Sequence, residues 1–155
     1  VTDFGVDAEA GPFYVMELAK EAARIADVEI DVVGGGTAGL ALGDPRLLRR
    51  ALRNLIENAV RHGEPPIGIE LGEGRAPGRL RIVVVDHGPG VPESERERIF
   101  EPFYRPPGAS SARGGIGLGL ALVRQIAEHH GGSVVCESHA GRGTRFVLEL
   151  AAAPA

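Results

Sequence analysis

Glycine recurs at Gly115, Gly117 and Gly119, alternating with Ile116, Leu118 and Leu120, just ahead of an apolar helical pattern that continues through Ala121, Val123, Ile126 and Ala127. Glycine lets backbone N–H groups come close to a ligand and tolerates positive φ. A helix that begins directly behind such a loop adds unpaired donors and the positive end of its dipole, a setting suited to phosphate. Two familiar phosphate loops are excluded. A dinucleotide fingerprint needs a third glycine where Leu120 stands, and a P-loop needs a Gly-Lys-Ser/Thr sequence. The only lysine is Lys20, far from the loop. Any cation that meets phosphate here must be an arginine or a metal. Arg105 and Arg113 bracket the loop, and a guanidinium's planar fork fits phosphate oxygens. Each is as readily a solvated surface charge.

Asn54 and Asn58 stand four residues apart and share one face of a helical pattern, flanked by Glu57 and Arg61, while Leu48, Leu52, Leu55, Ile56 and Ala59 form the opposite face. The face could be simply solvated. Asparagine is a weak helix former, however, and an amide oxygen is a hard ligand suited to Mg²⁺ bridging phosphates. Asp86-His87-Gly88-Pro89-Gly90-Val91-Pro92 follows an apolar strand. It reads either as an Asp-Gly turn or as a carboxylate that accepts from an exocyclic amine, with Gly88 and Gly90 letting a base lie against the backbone. Phe100, Phe103 and Tyr104 cluster in a chain poor in aromatics, and Phe100 or Phe103 is expected to anchor the glycine-rich loop to the core. Thr144, at the start of the last strand, is either part of a hairpin turn or a hydrogen-bond partner for a base or its water. His129 and His130 suit a helix C-terminus, and no zinc-ligand spacing is present. Cys136 reads as a small buried side chain.

These residues need elements to hold them. A helical pattern takes in Phe13, Met16, Leu18, Ala22 and Ile25, and Val28 to Val32 alternates as a strand, followed by a glycine turn and a short strand at Leu40 to Leu42. Asp44-Pro45 is a helix start, with a capping aspartate and proline at the first position; that helix should end near His62, with Gly63 as its cap. Ile67 to Leu71 and Leu80 to Val85 read as strands, the second central because Val83, Val84 and Val85 are apolar on both faces. A short helix near Glu93 to Ile99, the loop from Tyr104 to Gly115, a helix ending at His129-His130 and a hairpin of Ser133 to Glu137 with Thr144 to Leu150 complete the chain. Strands and helices mix without regular alternation. The expected fold class is therefore an α/β (α+β) two-layer sandwich, a mixed sheet of about five strands with about three helices on one face. Residues 1–10 read as a linker, 11–150 as the domain and 151–155 as a frayed tail.

The chain has 155 residues and a net charge of −4, enough for one domain with a core and without a global basic field for nucleic acid. A single cysteine rules out an internal disulfide and fits a reducing compartment. No apolar run approaches a membrane span, so no membrane contact is expected from this segment.

In order along the chain, Asn54-Leu55-Ile56-Glu57-Asn58-Ala59-Val60-Arg61-His62 resembles the N box of bacterial sensor histidine kinases. Asp86 to Pro92 resembles their first glycine box, Arg98 to Arg105 their F box, Gly114 to Leu120 their second glycine box and Gly143-Thr144-Arg145-Phe146 the last. The resemblance spans about Phe13 to Leu150. It implies a Bergerat ATP-binding fold, shared with gyrase, MutL and certain chaperones. It further implies that Asp86 binds the adenine amine, that Asn58 holds Mg²⁺ with Asn54 and Arg61 beside the phosphates, and that His62 lies near the nucleotide. Gly115, Gly117 and Gly119 would hinge the ATP lid, and Thr144 would support the adenine site. Glu57 takes the acidic position credited with polarising the nucleophile.

The implied reaction is transfer of the ATP γ-phosphoryl to a histidine, chemistry that is mostly positioning and charge neutralisation. The family's acceptor histidine is followed by an acidic residue and a Thr-Pro pair, a context found at none of the five histidines here. The expectation is thus a catalytic and ATP-binding domain from a longer, cytoplasmic or membrane-bound kinase. It would be monomeric alone and unable to phosphorylate itself, acting with a histidine-bearing dimerisation domain and, downstream, a response regulator. The alternatives are an anti-sigma-type serine kinase of the same fold and a degenerate ATP-binding module used for protein contacts. A gyrase-like ATPase fits less well, because Asn54 stands where that branch carries a catalytic glutamate.

Overall fold

In the main sheet the strands lie in the order Ile30–Gly34, Ile67–Glu73, Arg79–Asp86, Thr144–Ala151 and Ser133–Ser138, with Arg79–Asp86 in the middle. The computed structural model describes residues 12–25, 30–34, 40–105, 118–138 and 142–152. In chain order the elements are β1 (Pro12–Tyr14), α1 (Val15–Ile25), β2 (Ile30–Gly34), β3 (Leu40–Leu42), α2 (Pro45–His62), β4 (Ile67–Glu73) and β5 (Arg79–Asp86). Two 3₁₀ turns (Glu93–Glu95 and Arg98–Phe100), α3 (Gly119–His129), β6 (Ser133–Ser138) and β7 (Thr144–Ala151) follow. Strand β2 runs parallel to β4, and the other neighbours are antiparallel, so the sheet is mixed as expected. A small antiparallel pair, β1 with β3, stands apart.

The period-2 pattern of the strands sorts side chains between the two faces. Ile67, Ile69, Leu80, Ile82, Val84, Phe146, Leu148 and Leu150 are buried, and they join Leu48, Leu52, Leu55 and Ile56 of α2 and Val123 and Ile126 of α3 in one core. The alternate residues carry ion pairs. Arg145 of β7 grips Glu70 of β4 with two bonds of 3.0 and 3.1 Å, across β5. Arg75 reaches Glu137 at 3.1 Å.

Helix α2 starts as its sequence requires. Asp44 caps it, its Oδ1 accepting from the Arg46 N–H at 2.9 Å, with Pro45 behind it. Burial pushes the Asp44 carboxyl up, but the bonds from the Arg46 side chain and backbone outweigh it and leave its pKa below the ordinary value. The cap is tied to α3 by His130, whose Nε2 accepts from the Asp44 N–H at 3.0 Å while its Nδ1 lies 2.8 Å from the Ile126 carbonyl. A carbonyl can only accept and an N–H only donate, so the proton sits on Nδ1. Gly43 must be glycine beside this ring: a Cβ would lie 2.3 Å from His130 Cδ2.

Several sequence expectations shift. Phe13 lies in β1 rather than in the first helix, which begins at Val15. The short helix near Glu93 to Ile99 is two separate 3₁₀ turns. Gly63 closes α2 with an extended φ of −99° instead of a left-handed one, its N–H still reaching Ala59 O. Strand β7 runs on to Ala151, and Ala152 bridges to Ala41.

Candidate functional site

Asp86 ends the central strand and is only 3% exposed. Its Oδ1 accepts from the Gly88 N–H at 2.8 Å. Burial pushes the carboxyl above its usual range, against the opposing pull of that hydrogen bond and of His87. A carboxylate placed at such a cost, with one oxygen committed to a turn, retains further acceptor capacity for a donor that enters the pocket. Perturbed groups of this kind cluster at functional sites.

Glycines let the backbone pack closely around it. A Cβ on Gly88 would sit 2.8 Å from Gly63 Cα and 3.1 Å from Asp86 Oδ1. On Gly143 it would sit 2.0 Å from the Asp86 carbonyl oxygen, and Gly143 also holds a φ of +82°. Gly90 takes a φ of +87°, which turns the chain away after the aspartate. Thr144, buried, is the β7 partner of Asp86 in the ladder. The first and last glycine boxes thus meet at one strand end.

The end of α2 arrives at the same place. A Cβ on Gly63 would fall 2.2 Å from Asp86 Cγ, and the His87 N–H donates to Glu64 O at 2.8 Å. This brings the last turns of α2, with Asn58, Arg61 and His62, up to the strand that ends in Asp86. Asn58 is half-buried, and among the described residues no hydrogen bond engages its side chain. Arg61 and His62 are exposed. Glu57 is exposed and lies 3.9 Å from Arg53, one turn away, a separation at which an exposed pair contributes little.

Asn54 joins α2 to the second glycine box, its Nδ2 donating to Gly119 O at 3.2 Å. An amide that spends its N–H on a carbonyl keeps Oδ1 as its remaining acceptor. Gly119 opens α3, and a Cβ there would meet nothing within 4 Å. Leu118 precedes it with an exposed side chain and no side-chain cap, while Leu120 packs against the core. Among the described residues no side chain caps the first turn of α3, the condition under which a helix start accepts an anion. Gly115, Ile116, Gly117 and Arg113 lie outside the described residues.

The two phenylalanines separate. Phe100 is buried and packs edge-on against Phe146, centroids 6.1 Å apart, with Arg124 over its face at 5.9 Å. Such an aromatic pair contributes about 0.5–1.5 kcal/mol beyond its area. Phe103 is 69% exposed at a φ of +64°. Of the two, Phe100 is therefore the ring that reaches the core; the glycine-rich loop it was expected to anchor lies outside the described residues. Tyr104 donates to Glu95 and stacks under Arg98 at 4.9 Å, while Arg105 is exposed. Cys136 is half-buried, and burial pushes its thiol up to about 12, far from reactive.

Two contacts left no sign in the sequence. Ser138, 3% exposed, accepts from the Val91 N–H at 2.8 Å and donates to Gly143 O at 3.0 Å. His130 carries a bridge between helices that a solvent-facing helix-end histidine would not. Both depend on partners remote in sequence.

Known proteins share this fold. Residues 43–154 match the model of the family described as histidine kinase-, DNA gyrase B-, and HSP90-like ATPase. The sensor-type histidine kinase PrrB of Mycobacterium tuberculosis is 41% identical over 133 residues, which cover 85% of this chain and 29% of PrrB. The crystal structure of the PrrB ATP-binding domain superposes with a TM-score of 0.74 at 34% identity, covering 94% of this chain and 99% of that one. Full-length ShkA, crystallised with AMPPNP, superposes with a TM-score of 0.78 at 30% identity, over 96% of this chain and 33% of that one. The chain spans less than a third of the curated relative's length. It belongs to the histidine kinase-, DNA gyrase B-, and HSP90-like ATPase family, as a catalytic and ATP-binding domain of the sensor histidine kinase kind.

Proposed function

We propose that this domain binds Mg²⁺-ATP and presents the γ-phosphoryl group to a histidine on a separate helical dimerisation domain, whose phosphate then passes to a response regulator. The observation that carries the reading is the convergence on Asp86: a buried carboxylate at a strand end, walled by Gly88 and Gly143 and abutted by the end of the Asn54–His62 segment. The residues present suit the nucleotide. Asp86 accepts from the adenine amine, and Gly88 and Gly90 shape the base pocket. Asn58 offers an unengaged amide oxygen to Mg²⁺, a hard cation that takes oxygen ligands. Asn54, Arg61 and the start of α3 line the phosphate side, with His62 near the nucleotide. Mg²⁺, when bound, supplies charge neutralisation for phosphoryl transfer. Thr144 holds the strand opposite Asp86. Glu57 acts on the acceptor, and Arg105 and Arg113 on the transferred phosphate. The reading implies a cytoplasmic location, where ATP is available.

An ATP titration by calorimetry, with and without Mg²⁺, tests the first half. Saturable binding that Mg²⁺ strengthens is expected, and Asn58→Ala should lose the Mg²⁺-dependent part. No binding at millimolar ATP would defeat the reading. Adding a histidine-bearing helical hairpin tests the second half: acid-labile, base-stable phosphate on the hairpin is expected, and phosphoserine would point instead to a serine kinase.

A further inference from the structure

We infer that Ser138 is a positioning residue for the base pocket: among the described residues its hydroxyl is the side chain that hydrogen-bonds both the loop after Asp86 and Gly143, just before Thr144. The inference rests on the ATP-binding reading above. Ser138 closes β6, and its ladder partner is Thr144, itself the ladder partner of Asp86. The three residues therefore stand side by side across β6, β7 and β5. The Ser138 hydroxyl is buried and both donates and accepts, taking the Val91 N–H at 2.8 Å and giving its own proton to Gly143 O at 3.0 Å. Val91 belongs to the loop whose Gly88 binds Asp86, and Gly143 packs on the Asp86 backbone. One hydroxyl thus fixes both chain segments that flank the aspartate.

A hydroxyl serves here because it donates and accepts at once. Alanine would leave the Val91 N–H and the Gly143 carbonyl without their partner. The loop from Gly88 to Val91 would then lose its lateral anchor, while Asp86 itself, held by the ladder and by Gly88, would stay in place. The consequence falls on recognition of the base. Phosphate contacts, which come from α2 and from the start of α3, should be spared.

The test uses Ser138→Ala and Ser138→Cys in the whole domain. Affinities for ATP, GTP and inorganic triphosphate are measured by calorimetry, along with exchange of the Val91 amide. Expected for Ser138→Ala are ATP binding weakened about tenfold, the scale of a lost hydrogen bond, a smaller ATP-to-GTP preference, unchanged triphosphate affinity and faster exchange at Val91. Cysteine keeps the volume but accepts weakly, so an intermediate loss is expected, and this variant decides the matter if alanine fails to fold. Wild-type ATP affinity and base preference in a folded variant, whatever its melting temperature, would overturn the inference, as would equal loss for ATP and triphosphate. Failure of the wild-type domain to bind ATP is a separate result and defeats the ATP reading itself.

Discussion

Replacing Asp86 by asparagine separates what the carboxylate does for the fold from what it does for the ligand. The side chain keeps its shape, and the amide oxygen can still accept from the Gly88 N–H, now at 2.8 Å from Oδ1. The aspartate is 3% exposed and its pKa is raised chiefly by burial, so its charge costs the folded state energy at neutral pH. The amide removes that cost but presents N–H toward the Glu64 backbone, which favours the carboxylate. The two effects oppose, and stability at pH 7 should change by less than about 1 kcal/mol, within the range of a neutral hydrogen bond. Ligand binding should respond differently. With its oxygen committed to Gly88, the amide offers the adenine amine a donor in place of an acceptor. Losing a bond to a charged group costs about 1.5–3 kcal/mol, or about 10- to 150-fold in ATP affinity.

The sign of the pH effect follows from linkage. A raised folded-state pKa contributes stability that is present below the unfolded value, here 3.8, and is lost as pH rises through the folded value. Wild type should therefore gain on Asp86→Asn as pH falls through that window. Urea melts from pH 3 to 7 and a calorimetric titration at pH 7 measure both quantities. A variant that binds ATP as tightly as wild type, or that loses several kcal/mol of stability at pH 7, would refute the reasoning.

Three further outcomes can be checked by denaturation. Gly143→Ala puts a methyl 2.0 Å from Asp86 O at a φ of +82°; a loss of about 2 kcal/mol or more is expected from the clash and the backbone strain, and a melt within 0.5 kcal/mol of wild type would contradict the geometry. His130→Ala removes the acceptor of the Asp44 N–H and the donor to Ile126 O; a loss of about 2 kcal/mol, with faster exchange of the Asp44 amide, is expected, and unchanged exchange would count against the bridge. The Arg145 hydrogen bonds hold the Glu70 carboxyl below its usual 4.5, so the pair contributes stability above that value and loses it as pH falls through the folded pKa. Arg145→Met should remove this acid-dependent component at a cost under about 1 kcal/mol at pH 7, because the pair is partly exposed. An identical acid profile in the variant would refute the assignment.

Local chemistry made much of this domain legible in its sequence. Asp44-Pro45 wrote the start of α2, three valines marked β5 as central, and alternation marked β4 and β7, because caps, periodicity and glycine punctuation act over a few residues. The order of the boxes around Asn54, Asp86, Gly117 and Thr144 pointed to a nucleotide site. Tertiary structure decided the rest. Only the ladder sets Asp86 beside Thr144 and, through it, Ser138, since some fifty residues of chain separate β5 from the β6–β7 hairpin. Only the meeting of α2 with β5 makes Gly63 a neighbour of Asp86; as a sequence signal it was a helix stop. Phe100 and Phe103 are alike in type and three residues apart, and packing on Phe146 buries one and leaves the other exposed. His130 read as a helix-end histidine, and only the arrival of the α2 cap within 3.0 Å of it makes it a bridge. Sequence fixes what each residue can bond to, while the choice of partner depends on which distant backbone the fold brings within reach.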